Sequence, residues 1–301
     1  MLHSTPPPSV SSPNVKPTPL VIFGEMLYDC FPDGRRVLGG APFNVAWGLR
    51  GLGLDPMLIS AVGNDEDGRE IRRRMEKWGM QTQALQTNAD HLTGDVQVTL
   101  QNDEPAYEIS APRAWDFIQD EGHAASQLLY HGLLALRSEV TADTFKAIQA
   151  RSSAKRFFDI NLRPPHYNLD VLKQWIHGVN WLKLNIDELA QILGEDEITF
   201  VGCEPRVELL REQYEIENVL LTAGSQGAMI RGSFGNAACS PAPTLEKLVD
   251  TVGAGDSFSA VTIHGILTNL PADEIVKKAG LFAAKVCGMS GAISEDKAFY
   301  L

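Results

Sequence analysis

The sequence predicts an α/β protein of three layers: a central, mostly parallel sheet, helices on both faces, and a small β lid projecting from the main body. Two observations predict it. Short apolar runs of strand length alternate with amphipathic helical segments through most of the chain, the rhythm of a parallel sheet whose crossovers are helices. Between about residues 93 and 116 that rhythm is interrupted by a period-two stretch around a polar turn, which fits a hairpin with one wet face and sits poorly in a sheet covered on both sides.

The elements follow in order. Residues 1–18 are rich in Pro and Ser, with neither a cationic start nor an apolar run, and read as a disordered tail rather than a signal peptide. The folded domain is expected over 19–301. Residues 20–24 form a buried strand ended by glycine. In 41–52, Val45, Ala46, Leu49 and Leu52 share a helical face. A strand at 57–62 precedes a charged amphipathic helix at 67–78, stopped by Gly79. Residues 96–100 and 106–109 flank the turn Asn102-Asp103-Glu104-Pro105 and form the lid hairpin, with about 30–38 as a second lid segment. Strands are then expected at 127–131, 155–159, 180–184 and 218–222, with helices at 141–150, 169–177 and 186–193. Strands near 227–232 and 236–240 look antiparallel, and helices at 254–268 and 273–289 close the chain.

Composition narrows the function classes. With 301 residues, 44% hydrophobic and 21% charged, the chain can bury a core without disulfides or structural metal. A net charge of −12 argues against non-specific nucleic-acid binding, which needs clustered cations, but leaves room for a single nucleotide. No run approaches the roughly 18 apolar residues that cross a bilayer. Cys30, Cys203, Cys239 and Cys287 lie far apart with no CxxC pair, as expected of reduced thiols in a cytoplasmic protein.

The most informative run is Asp250-Thr251-Val252-Gly253-Ala254-Gly255-Asp256-Ser257-Phe258, a glycine-rich turn opening an apolar helix. The first amides, from Gly253, Ala254 and Gly255, together with the helix dipole, make an anion hole for a phosphoryl group. The helix start should keep Asp256 ionised, ready to accept the proton of an attacking hydroxyl. An aspartate at a helix start is also a common stabilising choice, and this run alone does not separate the two. There is no P-loop, and no dinucleotide fingerprint follows the first strand, which disfavours hydride transfer.

Gly39-Gly40-Ala41-Pro42-Phe43-Asn44 precedes the first helix. Its glycines would admit a ring, and the Asn44 amide can both donate to and accept from hydroxyls; the same run also reads as a plain helix entry with Pro42 near its first position. Asp29 is either a solvated loop residue or a carboxylate that accepts hydroxyls with charge-assisted bonds. Asn161 and Arg163 follow a strand, where an arginine fork suits developing phosphate charge or a surface ion pair. Asn185 is either an N-cap completed by Glu188 or part of a metal-related pair. Thr222, Gly224 and Gly227 lie in a strand, tight turn and second strand.

The 250–258 run resembles the carboxyl-terminal signature of the ribokinase-like (PfkB) carbohydrate kinases, and the 39–46 run resembles the amino-terminal one. The resemblance spans about residues 19–297. It implies a ribokinase-like fold and an ATP-dependent sugar kinase with Asp256 as catalytic base over the Gly253–Gly255 anion hole. It places Asp29, Gly39, Gly40, Asn44, Asn161 and Arg163 at the sugar, Asn185, Thr222, Gly224 and Gly227 at the nucleotide, and Glu188 at Mg²⁺, acting through water. Asp250, Val252, Val286, Met289 and Gly291 would hold a monovalent cation such as K⁺, although Cys287-Gly288-Met289 departs from the family's usual Ser-Val-Thr. Asp29, the 39–44 run and Arg163 look most like the fructokinase branch, which implies D-fructose phosphorylated at C6. The alternatives are 2-keto-3-deoxygluconate kinase, ribokinase or another ketose kinase and, in a different class, a catalytically silent sugar sensor. Lid pairing would give a homodimer, with Tyr107 and Trp115 touching sugar or partner, or packing as lid core. Neither nucleic acid nor membrane is an expected partner.

Overall fold

The computed structural model describes residues 18–101, 104–239, 241–244 and 248–301; the expected tail lies outside them apart from Thr18, which already belongs to the first strand. The strands are Thr18–Phe23 (β1), Leu27–Cys30 (β2), Arg36–Gly39 (β3), Met57–Gly63 (β4), Leu85–Asn88 (β5), Gly94–Gln101 (β6), Glu104–Ile109 (β7), Ala125–His131 (β8), Lys155–Asp159 (β9), Trp181–Asn185 (β10), Asn218–Thr222 (β11), Ala228–Gly232 (β12) and Ala237–Cys239 (β13). The helices are Ala41–Gly51 (α1), Glu66–Trp78 (α2), Glu139–Arg151 (α3), Leu169–Ile176 (α4), Ile186–Leu193 (α5), Glu204–Gln213 (α6), Ala254–Leu267 (α7) and Ala272–Cys287 (α8).

β1 shows why the sheet is central. Leu20 and Ile22 point to one face, Val21 and Phe23 to the other, and all four are buried, as a strand covered on both sides requires. Leu20 and Ile22 join a core with α1, α2, α7 and α8. Val21 and Phe23 pack with Ala142, Phe145 and Ile148 of α3, and α4, α5 and α6 cover the same side further along, over Phe158, Leu182 and Val219. The result is three layers.

The large sheet runs β13-β12-β11-β10-β9-β8-β1-β4-β5. Every pairing from β11 through to β5 is parallel; β12 and β13 are antiparallel, as the sequence predicts. Chain order reverses between β1 and β8, and ligands of such sheets bind at the strands' carboxyl ends beside that switch.

A second sheet, β3-β2-β6-β7, is built from both segments expected in the lid. It begins earlier than expected: β2 takes in 27–29, so Asp29 lies on a lid strand and not in a loop. Four-residue strands such as β2, β3 and β5 are too short for a period to show, and α6 buries only Val207 and Leu210 on its core side; none of the four was anticipated as a regular element, although 30–38 was expected in the lid. Trp115 is lid-root core. It is fully buried among Leu27, Val96, Ile109 and Leu134, with the Arg137 guanidinium 4.0 Å over its ring, so it cannot touch a partner. Tyr107 is exposed. Among the described residues no helix is long and apolar enough to cross a membrane.

Candidate active site

The site grows from the start of α7. Gly253 caps that helix at φ 79°, left-handed backbone that glycine adopts without strain, and a side chain there would run into Ala292. Of the three amides expected to be free, Ala254's donates to the Thr251 carbonyl at 3.2 Å. As first-turn positions, the Gly255 and Asp256 amides make no helical bond four residues back, so Asp256 joins the expected amides as a donor that could face an anion.

Asp256 receives the Asn44 side-chain amide at 2.8 Å, across 212 positions of sequence. The glycine-rich helix starts of α1 and α7 thus converge on one carboxylate. Burial raises the Asp256 pKa above the ordinary carboxylate range, although the Asn44 bond, Lys183 and Arg163 oppose this. A raised pKa makes the ionised carboxylate a better base than its exposed counterpart.

Around it stand the sugar-end residues. A side chain on Gly39 would lie 3.6 Å from Asp29 Oδ2 and 3.9 Å from Asn44 Nδ2, so these three meet. Gly40 holds φ 104° at the N-cap of α1, and a Cβ there would come within 2.8 Å of the Glu25 carbonyl. Burial pushes Asp29 up to about 6, with Arg163 pulling the other way. Asn161 sits at φ 46°, a conformation that asparagine tolerates better than most residues. Arg163 is exposed at the rim, and its charge acts on Glu25, Asp29 and Asp256.

Beneath the anion hole lies a buried network that sequence reasoning missed. Lys183 of β10 donates to both oxygens of Asp159, at 2.9 and 3.1 Å, and Ser259 of α7 donates to Asp159 at 2.8 Å. Burial alone would lower the Lys183 pKa, but Asp159, Glu188 and Asp256 outweigh it and raise it. A Cβ on Gly255 would lie 3.0 Å from Lys183 Nζ, so a fixed cation stands behind the phosphate-facing turn. The signal was a lysine inside the apolar run Trp181-Leu182-Lys183-Leu184.

On the far side of α7, a cleft of about 460 Å³ is lined by Thr222, Gly224 and Gly227, by Ala254 and Gly255, and by apolar groups including Phe258, Val276, Ala283 and Cys287. An apolar slot ending in helix amides suits a flat base joined to phosphates. Asn185 does not line it; it pairs with Thr222 next door and caps α5 in a capping box with Glu188.

The Glu188 carboxylate accepts from the Leu162 amide at 2.7 Å and the Asn185 amide at 2.8 Å. Both oxygens are engaged, and no group of three or more His, Cys, Asp or Glu side chains able to hold a metal occurs among the described residues. Each oxygen keeps a further lone pair, so a bound water could still reach Glu188 from a metal carried on phosphates. Asp250 is likewise engaged, accepting from Val252 at 3.0 Å and Gly291 at 3.2 Å, while Met289 donates to the Val286 carbonyl. The segments expected to share a monovalent cation are already bonded to each other.

Comparison with known proteins agrees with this geometry. The chain is 30% identical over 287 residues to the fructokinase of Salmonella typhimurium, covering 89% of this chain and 91% of that protein. It is 31% identical to the fructokinase of Klebsiella pneumoniae over the same shares. The crystal structure of fructokinase from Vibrio cholerae O395 in fructose, ADP and calcium ion bound form superposes with a TM-score of 0.77 at 21% identity, covering 94% of this chain and 98% of that one. The model of the pfkB family carbohydrate kinases matches residues 20–298, and the chain belongs to that family.

Proposed function

We propose that the protein is an ATP-dependent kinase of a neutral, hydroxyl-rich sugar, with D-fructose phosphorylated at its C6 hydroxyl as the first choice. One observation carries the reading: the Asn44–Asp256 hydrogen bond joins the sugar-end and phosphate-end motifs at the carboxyl ends of the strands, beside the switch point.

The reaction then runs as follows. Asp29, Gly39, Gly40, Asn44, Asn161 and Arg163 hold the sugar with its primary hydroxyl at Asp256. The hydroxyl oxygen attacks the γ-phosphorus and its proton passes to the Asp256 carboxylate. The bond from γ-phosphorus to the β–γ bridging oxygen breaks, and ADP leaves with that electron pair. Phosphoryl transfer needs little nucleophile activation, so the protein's work is positioning and charge stabilisation. The Gly255 and Asp256 amides and Lys183 supply positive potential at the γ-phosphate, with the base of the nucleotide in the cleft beside Thr222 and Gly224. Bound on the ATP phosphates, Mg²⁺ would supply charge neutralisation, with Glu188 placed to meet it through water; Glu188 also orders the 162–185 region. K⁺ at the Asp250–Gly291 junction, and a homodimer formed through paired lids, belong to the same proposal.

A coupled ADP-release assay with Mg·ATP over a panel of sugars, with and without K⁺, tests this. One strongly preferred neutral sugar supports the reading. Silence across the panel with calorimetric sugar binding intact would instead make the protein a sensor. Small-angle scattering reads the dimer, and a monomer at working concentration removes it.

A further inference from the structure

Glu25 plays no part in the reaction above, yet it is the most conspicuous buried acid of the site. It follows Gly24 at the carboxyl end of β1, is 3% exposed, and its Oε2 has no hydrogen-bond partner among the described residues. Buried polar atoms are almost always paired, and exceptions call for an explanation. The charges that act on it come from three elements around the switch point: Arg163 after β9, Asp256 in the first turn of α7, and Arg137 after β8. Arg137 is itself tied to Asp116 at 2.8 Å and to the Ser110 carbonyl at 2.9 Å, so it does not neutralise Glu25 directly.

A second orphan belongs to the same site. Asn44 Oδ1 is buried without a partner among the described residues, while the nitrogen of the same amide is fixed on Asp256. Both unpaired atoms are acceptors, as is the neighbouring Asp29 carboxylate, and a ligand that satisfied all three would have to be rich in donors.

We infer that Glu25 is a further acceptor-recognising residue: its Oε2, with Asn44 Oδ1 and Asp29, forms a wall of hydrogen-bond acceptors that takes the hydroxyl protons of a neutral polyol and disfavours an anionic one. The inference rests on the sugar-kinase reading and sharpens it. Three carboxyl groups, Glu25, Asp29 and Asp256, all feel the charge of Arg163, whose guanidinium also donates to the Leu162 carbonyl at 3.2 Å. A sugar acid or sugar phosphate would add like charge to that set, whereas each hydroxyl gains a charge-assisted bond.

The test measures kcat, sugar KM and nucleotide KM for the wild type, Glu25→Gln and Glu25→Met, with D-fructose and a 2-keto-3-deoxy sugar acid as acceptors. Sugar binding is followed in parallel by calorimetry, and folding by thermal melts. Glu25→Met should raise the fructose KM by roughly tenfold or more, the scale of a lost hydrogen bond to a charged group, with the nucleotide KM within about twofold. Glu25→Gln, which keeps an acceptor, should do less, but should narrow the preference for the neutral sugar and flatten the improvement in fructose KM between pH 6 and 8. An unchanged fructose KM and pH profile in folded variants of an active enzyme would overturn the inference, as would wild-type preference for the sugar acid. If Glu25→Met does not fold, Glu25→Gln decides through preference and pH profile. A wild type that transfers phosphate to no sugar defeats the kinase reading separately, and calorimetry then judges Glu25: weaker fructose binding in the variants upholds its role, equal binding ends it.

Discussion

Burial pushes the Glu25 carboxyl up from 4.5 to about 7, with Arg163 and Arg137 only partly offsetting it. A carboxyl whose folded pKa is raised binds its proton more tightly in the native state than in the unfolded one. Its contribution is therefore most favourable below about pH 4.5 and is lost as pH rises towards 7. Glu25→Gln removes that loss. Relative to the wild type, the variant should gain stability progressively from pH 4.5 to 8, by up to about 3 kcal/mol for a shift of this size; urea titrations at several pH values would show a flat difference if the account is wrong. Lys183 is the opposite case, a buried cation satisfied by Asp159. Lys183→Met strands a buried carboxylate, so a loss of about 3–5 kcal/mol is expected, largely recovered when Asp159→Leu is added; denaturant melts of the single and double variants check both. At this scale Asn44 and Asp256 stood out because they sit at glycine-rich helix starts, and Asp29 only through the family resemblance. Glu25 and Lys183 did not, because one polar residue within or just after an apolar strand is a weak signal, and only the fold shows what it faces.

The helix starts decide how the site is held. α1 and α7 each open from a glycine of positive φ, Gly40 and Gly253, and pack against each other through Gly48 and Ala260, whose Cβ would lie 3.1 Å from one added to Gly48. Gly253→Ala meets both a left-handed backbone and the Ala292 side chain. It should cost about 1–3 kcal/mol and, on the proposed mechanism in which the amides it shifts meet the phosphate, lower kcat more than it raises sugar KM; steady-state kinetics with equal loss in both parameters would contradict this. Long elements with clear periodicity, such as α2 from Asp65 to Gly79, were read from sequence to within a residue or two. β2, β3, β5 and α6 escaped because their partners, not their own composition, make them regular. The capping box of Asn185 and Glu188 was also legible, and the structure adds a second duty, the bond to Leu162, which ties the exit of β9 to α5.

For the molecule as a whole, alternation of strands and helices was enough to foresee the layered sheet, and the period-two hairpin was enough to foresee a second β unit. What the sequence could not carry was distance. Nothing in a linear reading says that residues 44 and 256 touch, that the charge of Arg163 acts on Asp29, or that the base of the lid is locked to the body by Arg137 through Asp116 and Trp115. Those contacts come from the order of strands across the switch point, which brings the ends of β1, β8 and β9 under one helix start. The central claim is that this junction delivers a sugar hydroxyl to Asp256. Its most direct test is the rate of fructose 6-phosphate formation from fructose and Mg·ATP, followed by phosphorus NMR for the wild type and Asp256→Asn, with fructose binding measured on both. The account predicts formation slower by roughly 10²–10⁴ in the variant, the usual scale of a general base, with binding retained. Equal rates in the two proteins would contradict it.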